Sequence, residues 1–262
     1  MPRVVAKADN LNELNKQFVQ QPLAQPAFLN SVPKCGTHLF RNIVRMFVPV
    51  EQQYHRAFIQ IPILHQHLQA FTHTRPLLSW GHLLFSDDSA RALKGVRHTV
   101  LVRDPYDWVL ARARFFLSDT FKGQMDPLKG GAVSVEEVLN MMIFGIYDKA
   151  PSMRDIFVHN AAAWLGTQAR MLKMEELLSA VRNLDSPEAE DYFAETLGFL
   201  GIGSLPDDWR ERVRVGSDRR QSGTARENLA GPANDVPAEL PEMQKRLVDF
   251  AIPGLRELLG YA

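Results

Sequence analysis

The stretch Ala27-Phe-Leu-Asn-Ser-Val-Pro-Lys-Cys-Gly-Thr-His-Leu39 decides the fold of this chain. Its apolar part, Ala27 to Val32, predicts a buried strand, and the residues from His38 to Phe47 have the spacing of a helix. Between them lies the short loop Pro33-Lys-Cys-Gly-Thr37. A strand that turns through a glycine-containing loop into a helix directs several backbone N–H groups at one point, and a lysine there adds a full positive charge. The stretch therefore predicts a binding loop for a phosphorylated nucleotide.

The size and composition are those of an ordinary globular protein. With 262 residues, 45% of them hydrophobic, the chain has enough apolar surface for a sizeable core, and we expect a single domain over residues 1–262. Its 30 basic and 30 acidic residues balance, so no net charge attracts nucleic acid. The N-terminus lacks the apolar segment of a secretory signal, and no stretch approaches the roughly 20 apolar residues of a membrane span. We therefore expect a soluble, cytoplasmic protein.

The cysteine and histidine patterns give no sign of a metal site. Cys35 is the single cysteine, which excludes an intrachain disulfide and a multi-cysteine metal site. His65, His67 and His73 lack zinc-type spacing and are interpreted as surface helix residues. We expect no metal cofactor.

Strand-like and helical segments alternate along the chain. The predicted strands are Ala27–Val32, a short strand within Pro76–Phe85, His98–Arg103 and Ala169–Met174. This alternation predicts an α/β protein with three α/β/α layers and a mainly parallel central sheet. Ligands of such sheets bind outside the carboxyl ends of the strands, where Lys34, His82 and Arg103 fall, so we expect these three residues to converge. Residues 118–131 carry glycines, a proline and mixed charge, and we expect an exposed, mobile loop there.

The phosphate loop differs from the nucleotide-triphosphate motif. That motif places Gly-Lys-Ser/Thr at the end of a longer loop, whereas here Lys34 precedes Gly36 and the loop is shorter. A plain strand-to-helix turn with a solvated lysine is the alternative interpretation.

The six residues Pro33-Lys-Cys-Gly-Thr-His38 closely resemble the Pro-Lys-Ser-Gly-Thr-Thr loop of sulfotransferases. Those enzymes use 3′-phosphoadenosine 5′-phosphosulfate (PAPS) as donor and release adenosine 3′,5′-bisphosphate (PAP). The resemblance implies a P-loop-like fold in which Lys34 and the loop amides bind the phosphosulfate. The donor-binding residues it implies in this segment are Lys34, Cys35, Gly36, Thr37, His38 and Leu39.

A second segment, Val102-Arg-Asp-Pro-Tyr-Asp107, resembles the Val-Arg-Asp-Pro-Arg-Asp segment of the same family. The resemblance implies that Arg103 binds the 3′-phosphate of the donor, because a guanidinium group matches two phosphate oxygens and stays charged. An arginine at a strand end that pairs with Asp104 or Asp107 is the structural alternative.

Gly81-His-Leu83 lies between these two segments, where the family has its general base. The resemblance implies that His82 takes the proton of the acceptor hydroxyl, and histidine has a suitable pKa range for that task. A core or surface histidine without catalytic function is the alternative.

The segment Ser222-Gly-Thr-Ala-Arg-Glu-Asn-Leu-Ala-Gly231 resembles a degenerate form of the family's C-terminal loop that closes over the 3′-phosphate. The matching arginine is Arg226. A solvated loop arginine is the alternative, and Arg219 or Arg220 could take its place.

Several positions depart from the family pattern. The serine expected eight residues after Arg103 is Ala111, for which Arg112, Arg114 or a backbone amide could compensate. The other departures are Leu39 at the place of an adenine-stacking aromatic, Met174 at the place of a tyrosine, Trp80 at the place of a lysine, and His38 at the place of a hydroxyl residue.

Taken together, the resemblances imply in-line transfer of a sulfuryl group from PAPS to a hydroxyl or amine, with Lys34 and His82 as catalytic residues. We expect a small-molecule, glycan or lipid acceptor that the sequence does not identify, and no nucleic-acid partner. The alternatives are an ATP- and magnesium-dependent phosphotransferase and a non-catalytic nucleotide-binding protein. The oligomeric state is left open.

Overall fold

The computed structural model describes residues 3–4, 8–118, 121–122, 126–223 and 235–261. The β-strands are β1 (Arg3–Val4), β2 (Ala27–Ser31), β3 (Leu78–Gly81), β4 (Arg97–Val102), β5 (Phe121–Lys122) and β6 (Arg170–Lys173). The α-helices are α1 (Leu11–Asn15), α2 (Thr37–Arg45), α3 (Asp87–Ala92), α4 (Pro105–Phe116), α5 (Asp126–Lys129), α6 (Val135–Phe144), α7 (Met153–Asn160), α8 (Met174–Arg182), α9 (Pro187–Phe199), α10 (Trp209–Ser217), α11 (Glu242–Ala251) and α12 (Leu255–Leu258). Short 3-10 helices cover Val50–Gln52, Ile61–Phe71, Ala162–Trp164 and Arg219–Gln221.

The chain divides into two compact units. The first, here called the sheet unit, comprises Ala8–Val102 and His159–Ser222. The second unit comprises Met1–Lys7, Arg103–Val158 and Gly223–Ala262. The expectation of one domain stays a prediction.

A parallel sheet forms the centre of the sheet unit. Its strands are ordered β3-β2-β4-β6, and each neighbouring pair is parallel. Every residue of β2 is buried, as expected for a strand covered on both faces. Asn30 lies beside Gly81 of β3 and Val100 of β4, so the three strands end at the same edge of the sheet. The predicted α/β class and the parallel sheet are confirmed.

Helix α2 directly follows the loop and packs in the core of the sheet unit. Phe40, Ile43 and Val44 form its buried apolar face. The helix packs closely on α10, because a Cβ atom on Gly216 would lie 2.5 Å from the Cα atom of Ile43. A side chain at residue 216 would push α2 away, so the position of α2 depends on this glycine.

Helix α4 belongs to the second unit and is capped at its N-terminus. The Asp104 side chain accepts a hydrogen bond from the Tyr106 backbone N–H, and Pro105 occupies the first helical turn. The buried Arg112 of α4 donates to the carbonyl oxygens of Met142 and Pro151 at 2.8 and 2.7 Å. This guanidinium group thereby connects α4 with the end of α6 and the segment after it.

The described part of residues 118–131 contains a short strand and a short helix, and the mobility expected of this segment stays a prediction. Phe121 and Lys122 form β5, which pairs antiparallel with β1, and residues 126–129 form α5. The Phe121 ring is buried against Phe115 and Phe116, with centroid distances of 5.1 and 4.7 Å. Glycine and proline content did not reveal this aromatic contact, which orders part of the segment.

Two helices in the sheet unit were not predicted. Helix α1 is short, and α10 is rich in charged residues, so neither shows a clear apolar period. No helix among the described residues has the length and apolar character needed to cross a membrane.

Candidate active site

The loop between β2 and α2 has a backbone that only particular residues tolerate. Lys34 and Gly36 both have positive φ angles, of 73° and 89°. Gly36 is also in close contact with Met174, since a Cβ atom there would lie 2.2 Å from the Met174 sulfur. The positive φ angle favours glycine at residue 36, and a Cβ atom there would also displace the end of the Met174 side chain. Met174, which stands at the place of the family's tyrosine, thus packs against the predicted phosphate loop.

The N-terminus of α2 presents backbone donors beside positive charge. The N–H groups of the first helical turn, Thr37 to Leu39, have no acceptor inside the helix. Burial lowers the pKa of His38 to about 4, and the positive charges of Arg41 and Lys34 contribute to this shift. Its buried Nδ1 atom has no hydrogen-bond partner in the part of the chain that the structure describes. These are features of an anion site.

The Cys35 side chain does not face such a site. Cys35 is fully buried, and its backbone N–H donates to the Val32 carbonyl oxygen at 3.2 Å. The cysteine is therefore a core residue of the turn, and its backbone N–H stabilises the turn. Leu39 is half-buried in the first turn of α2.

His82 is held at the end of β3 by Ser31, the last residue of β2. Its Nδ1 atom lies 2.8 Å from the Ser31 carbonyl oxygen and 3.2 Å from the Ser31 hydroxyl. A carbonyl oxygen only accepts, so Nδ1 carries the proton and Nε2 retains its lone pair. The Ser31 hydroxyl also contacts the Thr37 hydroxyl at 2.6 Å, which links His82 to the first turn of α2.

The surroundings of His82 keep its imidazole neutral. Burial lowers the pKa of His82 to about 3, and the charge of Lys34 adds to this effect. The ring packs edge-on against Phe58, with a centroid distance of 4.6 Å. A neutral imidazole with a free Nε2 lone pair has the form of a general base at neutral pH.

A buried amide pair positions the strand ends that carry Ser31 and His82. The Asn30 side chain bonds both the N–H and the carbonyl oxygen of Leu83, at 2.8 and 2.9 Å. Asn160 donates to the Ser31 carbonyl oxygen at 3.2 Å and to the Asn30 side chain at 3.3 Å. The sequence analysis missed Ser31, Asn30 and Asn160. Two polar residues at the end of an otherwise apolar strand are the signal that could have revealed the first two.

Arg103 directly follows β4 and is the first residue of this part of the second unit. Its side chain is half-buried. Its neighbour Asp104 forms an ion pair with Arg256, whose guanidinium nitrogens lie 2.9 and 3.2 Å from the carboxylate. The structure brings Lys34, the first turn of α2 and His82 together in the sheet unit, whereas the convergence of Arg103 with them stays a prediction.

The arginines named as substitutes for the missing serine have structural partners. Arg112 binds two backbone carbonyls, as described above, and Arg114 donates to the Pro237 carbonyl oxygen at 2.6 Å. Ala111 is half-buried on the same helix. Neither guanidinium group therefore matches the expected role of a spare phosphate ligand.

The predicted C-terminal phosphate residue, Arg226, lies outside the described residues. Of its possible substitutes, Arg220 is bound to Asp218 at 2.8 Å and is exposed. Gln221, the residue after Arg220, accepts hydrogen bonds from the Asn42 side chain and from the Asn10 N–H.

Comparison with solved structures identifies the fold. Mouse sulfotransferase SULT7A1, crystallised with PAP, matches with a TM-score of 0.57 and 14% identity over 98% of this chain and 94% of that chain. Retinol dehydratase, in complex with androsterone and the inactive cofactor PAP, matches with a TM-score of 0.50 and 15% identity over 90% and 82%. No protein-family model and no curated protein matches the sequence. The chain therefore has the sulfotransferase fold, which confirms the resemblance at the level of fold.

Proposed function

We propose that this protein transfers a sulfuryl group from PAPS to a hydroxyl acceptor, with His82 as the general base. The observation that carries the proposal is the fixed tautomer of His82, whose Nδ1–H is bound to the Ser31 carbonyl oxygen, so that Nε2 keeps its lone pair. A sulfuryl transfer needs a group that accepts the acceptor proton as the new S–O bond forms, and a neutral Nε2 atom meets that need. Two structural neighbours that carry PAP support PAPS as the donor.

The loop from Lys34 to Leu39 is the proposed binding site for the phosphosulfate. The helix N-terminus supplies backbone donors and a partial positive charge, and Lys34 supplies a full charge. The unpartnered Nδ1 atom of His38 fits a polar ligand at the same place. We further assign the 3′-phosphate to Arg103 and Arg226, on the family resemblance of their segments.

In the reaction, His82 accepts the acceptor proton on Nε2 while the acceptor oxygen attacks the sulfur. The bond between sulfur and the bridging phosphate oxygen breaks, and its electron pair leaves with PAP. Lys34 and the loop N–H groups stabilise the negative charge that grows on that oxygen. Ser31 holds the imidazole in position throughout, because its carbonyl oxygen keeps the bond to Nδ1–H.

The first experiment measures ligand binding by thermal unfolding with PAP, with adenosine 5′-phosphate, and with ATP plus magnesium. Selective binding of PAP raises the melting temperature by mass action. Stabilisation by ATP and magnesium alone would favour a phosphotransferase and would contradict the proposal.

The second experiment measures sulfuryl transfer from PAPS to a panel of phenols, alcohols and amines. His82→Ala and Lys34→Ala should each reduce transfer by about 100-fold or more. His65→Ala and Lys16→Ala, which change exposed residues of the same types, serve as matched controls. Full activity in the His82 and Lys34 variants would refute the assigned roles, and PAP binding without any transfer would favour a non-catalytic nucleotide-binding protein.

A further inference from the structure

A polar cavity of about 380 Å³ lies in the sheet unit beside the candidate active site. Its walls include Arg41 of α2, Trp80 of β3 and Phe58. The volume suits a small organic molecule. The donor-binding residues proposed above that the structure describes, Lys34 to Leu39 and Arg103, do not line this cavity.

Phe58 connects the cavity with His82. It forms part of the cavity wall and packs on the His82 ring, with a centroid distance of 4.6 Å. A second wall residue, Trp80 of β3, precedes His82 by two residues in the chain. A molecule in this cavity would therefore contact a residue that also contacts the proposed base.

Arg41 gives the cavity a positive charge. Its guanidinium group lies over the Trp80 ring, 5.0 Å from the ring centre. The nearest carboxylate is that of Asp9, at 3.7 Å from Arg41. Asp9 is bound more closely by Arg45, whose two terminal nitrogens donate to it at 3.1 and 3.2 Å.

The charges in the cavity wall therefore do not cancel. Arg41 and Arg45 contribute two positive charges against the single negative charge of Asp9. His55 also lines the cavity. Burial lowers its pKa, and the charges of Arg45 and Arg41 lower it further, so His55 adds little positive charge at neutral pH. Arg45 is buried and bound to Asp9, Asn12 and Gln53. Arg41 donates to the Asn42 side chain through Nε and Nη2, at 3.3 and 3.1 Å, and its Nη1 atom has no hydrogen bond to another described residue, so Nη1 is the donor that can meet a ligand.

We propose that the acceptor carries an acidic group, a carboxylate, phosphate or sulfate, and that Arg41 binds this group in the cavity while the acceptor hydroxyl faces His82. This inference rests on the proposed sulfotransferase function and names the substrate class. A guanidinium group matches such anions bidentately, and the Trp80 face below it limits its movement. Arg41 is thus a specificity-determining residue.

The test uses two acids and their amides as probes: 4-hydroxybenzoate and 4-hydroxyphenylacetate, each against its amide. The protein is first saturated with PAP, so that the phosphate loop does not compete for the acids. Calorimetric titration should show at least one acid binding about tenfold or more tightly than its amide, as a charged hydrogen bond predicts. Arg41→Gln should remove this preference, and Arg41→Lys should retain part of it.

Arg91→Gln is the matched control, since Arg91 is an exposed arginine of the sheet unit outside the cavity. Unchanged stabilisation of each variant by PAP shows that it has folded. Equal binding of acid and amide, absence of binding by all four probes, or a preference that survives in Arg41→Gln would overturn the inference and leave the proposed function standing. Failure of the wild-type protein to bind PAP would overturn the proposed function, and this inference with it.

Discussion

A Gly81→Ala substitution offers a sharp test of how the fold positions His82. A Cβ atom on Gly81 would lie 2.0 Å from the Ile59 carbonyl oxygen and 2.8 Å from its carbon. These are backbone atoms, so no side-chain rotation relieves the contact. The same carbonyl oxygen accepts the His82 backbone N–H at 3.1 Å, and the added methyl group must displace it.

The expected cost follows from these two effects. Overpacking of a rigid site costs about 1–3 kcal/mol, and loss of the hydrogen bond to His82 adds about 1 kcal/mol. We therefore expect the free energy of unfolding to fall by roughly 2–4 kcal/mol in urea denaturation. Displacement of His82 by about 1 Å would reduce the rate of sulfuryl transfer about 100-fold, while PAP binding persists.

Gly198→Ala is the matched control for this prediction. Gly198 lies in α9 of the same unit, and a Cβ atom there would meet nothing within 4 Å. Replacing a helical glycine by alanine should stabilise the protein by up to about 1 kcal/mol. An unfolding free energy of Gly81→Ala within about 0.5 kcal/mol of the wild-type value would refute the reasoning.

Two further predictions concern buried polar groups of the sheet unit. Burial lowers the pKa of His98 to about 3, so between pH 6.5 and 3 the unfolded chain binds a proton that the folded chain does not, and stability falls as the pH falls. The wild-type protein should lose about 2 kcal/mol more unfolding free energy than His98→Phe when the pH falls from 6.5 to 5. Urea denaturation at the two pH values measures these losses, and equal losses in the two proteins would contradict the prediction. Ser31→Ala removes the hydroxyl that bridges Thr37 and His82 but keeps the carbonyl oxygen that fixes the tautomer of His82. We therefore expect a destabilisation of about 1–2 kcal/mol and less than a tenfold loss of the transfer rate. Ser79→Ala, on the neighbouring strand, controls for the loss of a buried hydroxyl. A loss of the transfer rate above about 100-fold in Ser31→Ala would contradict the prediction and show that the Ser31 hydroxyl does more than position the His82 ring.

Local patterns carried the prediction of the fold. The strand from Ala27, the loop and helix α2 follow one another within about 20 residues, so apolar period and turn residues suffice to predict them. The strand before Arg103 and the helix after it are equally local, with Asp104 as the cap. Helix α10 was missed because most of its turns carry arginine, and its buried Arg212 breaks the apolar pattern.

The candidate site was predictable only where the family resemblance supplied the residues. The contact of Ser31 with His82 joins positions 51 residues apart, and no local pattern predicts it. The same holds for Arg41 and Trp80. Trp80 was recognised as a departure from the family pattern, but its contact with Arg41 is visible only in the structure. Met174 is a third case, because its packing against Gly36 depends on β6 lying two strands from β2.

The contact between Met174 and Gly36 has a consequence for biosynthesis. The loop after β2 is synthesised early, whereas its packing partner at the start of α8 follows about 140 residues later. At typical synthesis rates of about 5–20 residues per second, this delay is roughly 7–30 seconds. During that interval the loop after β2 lacks its Met174 partner, so the conformation around Gly36 is completed only after α8 has been synthesised.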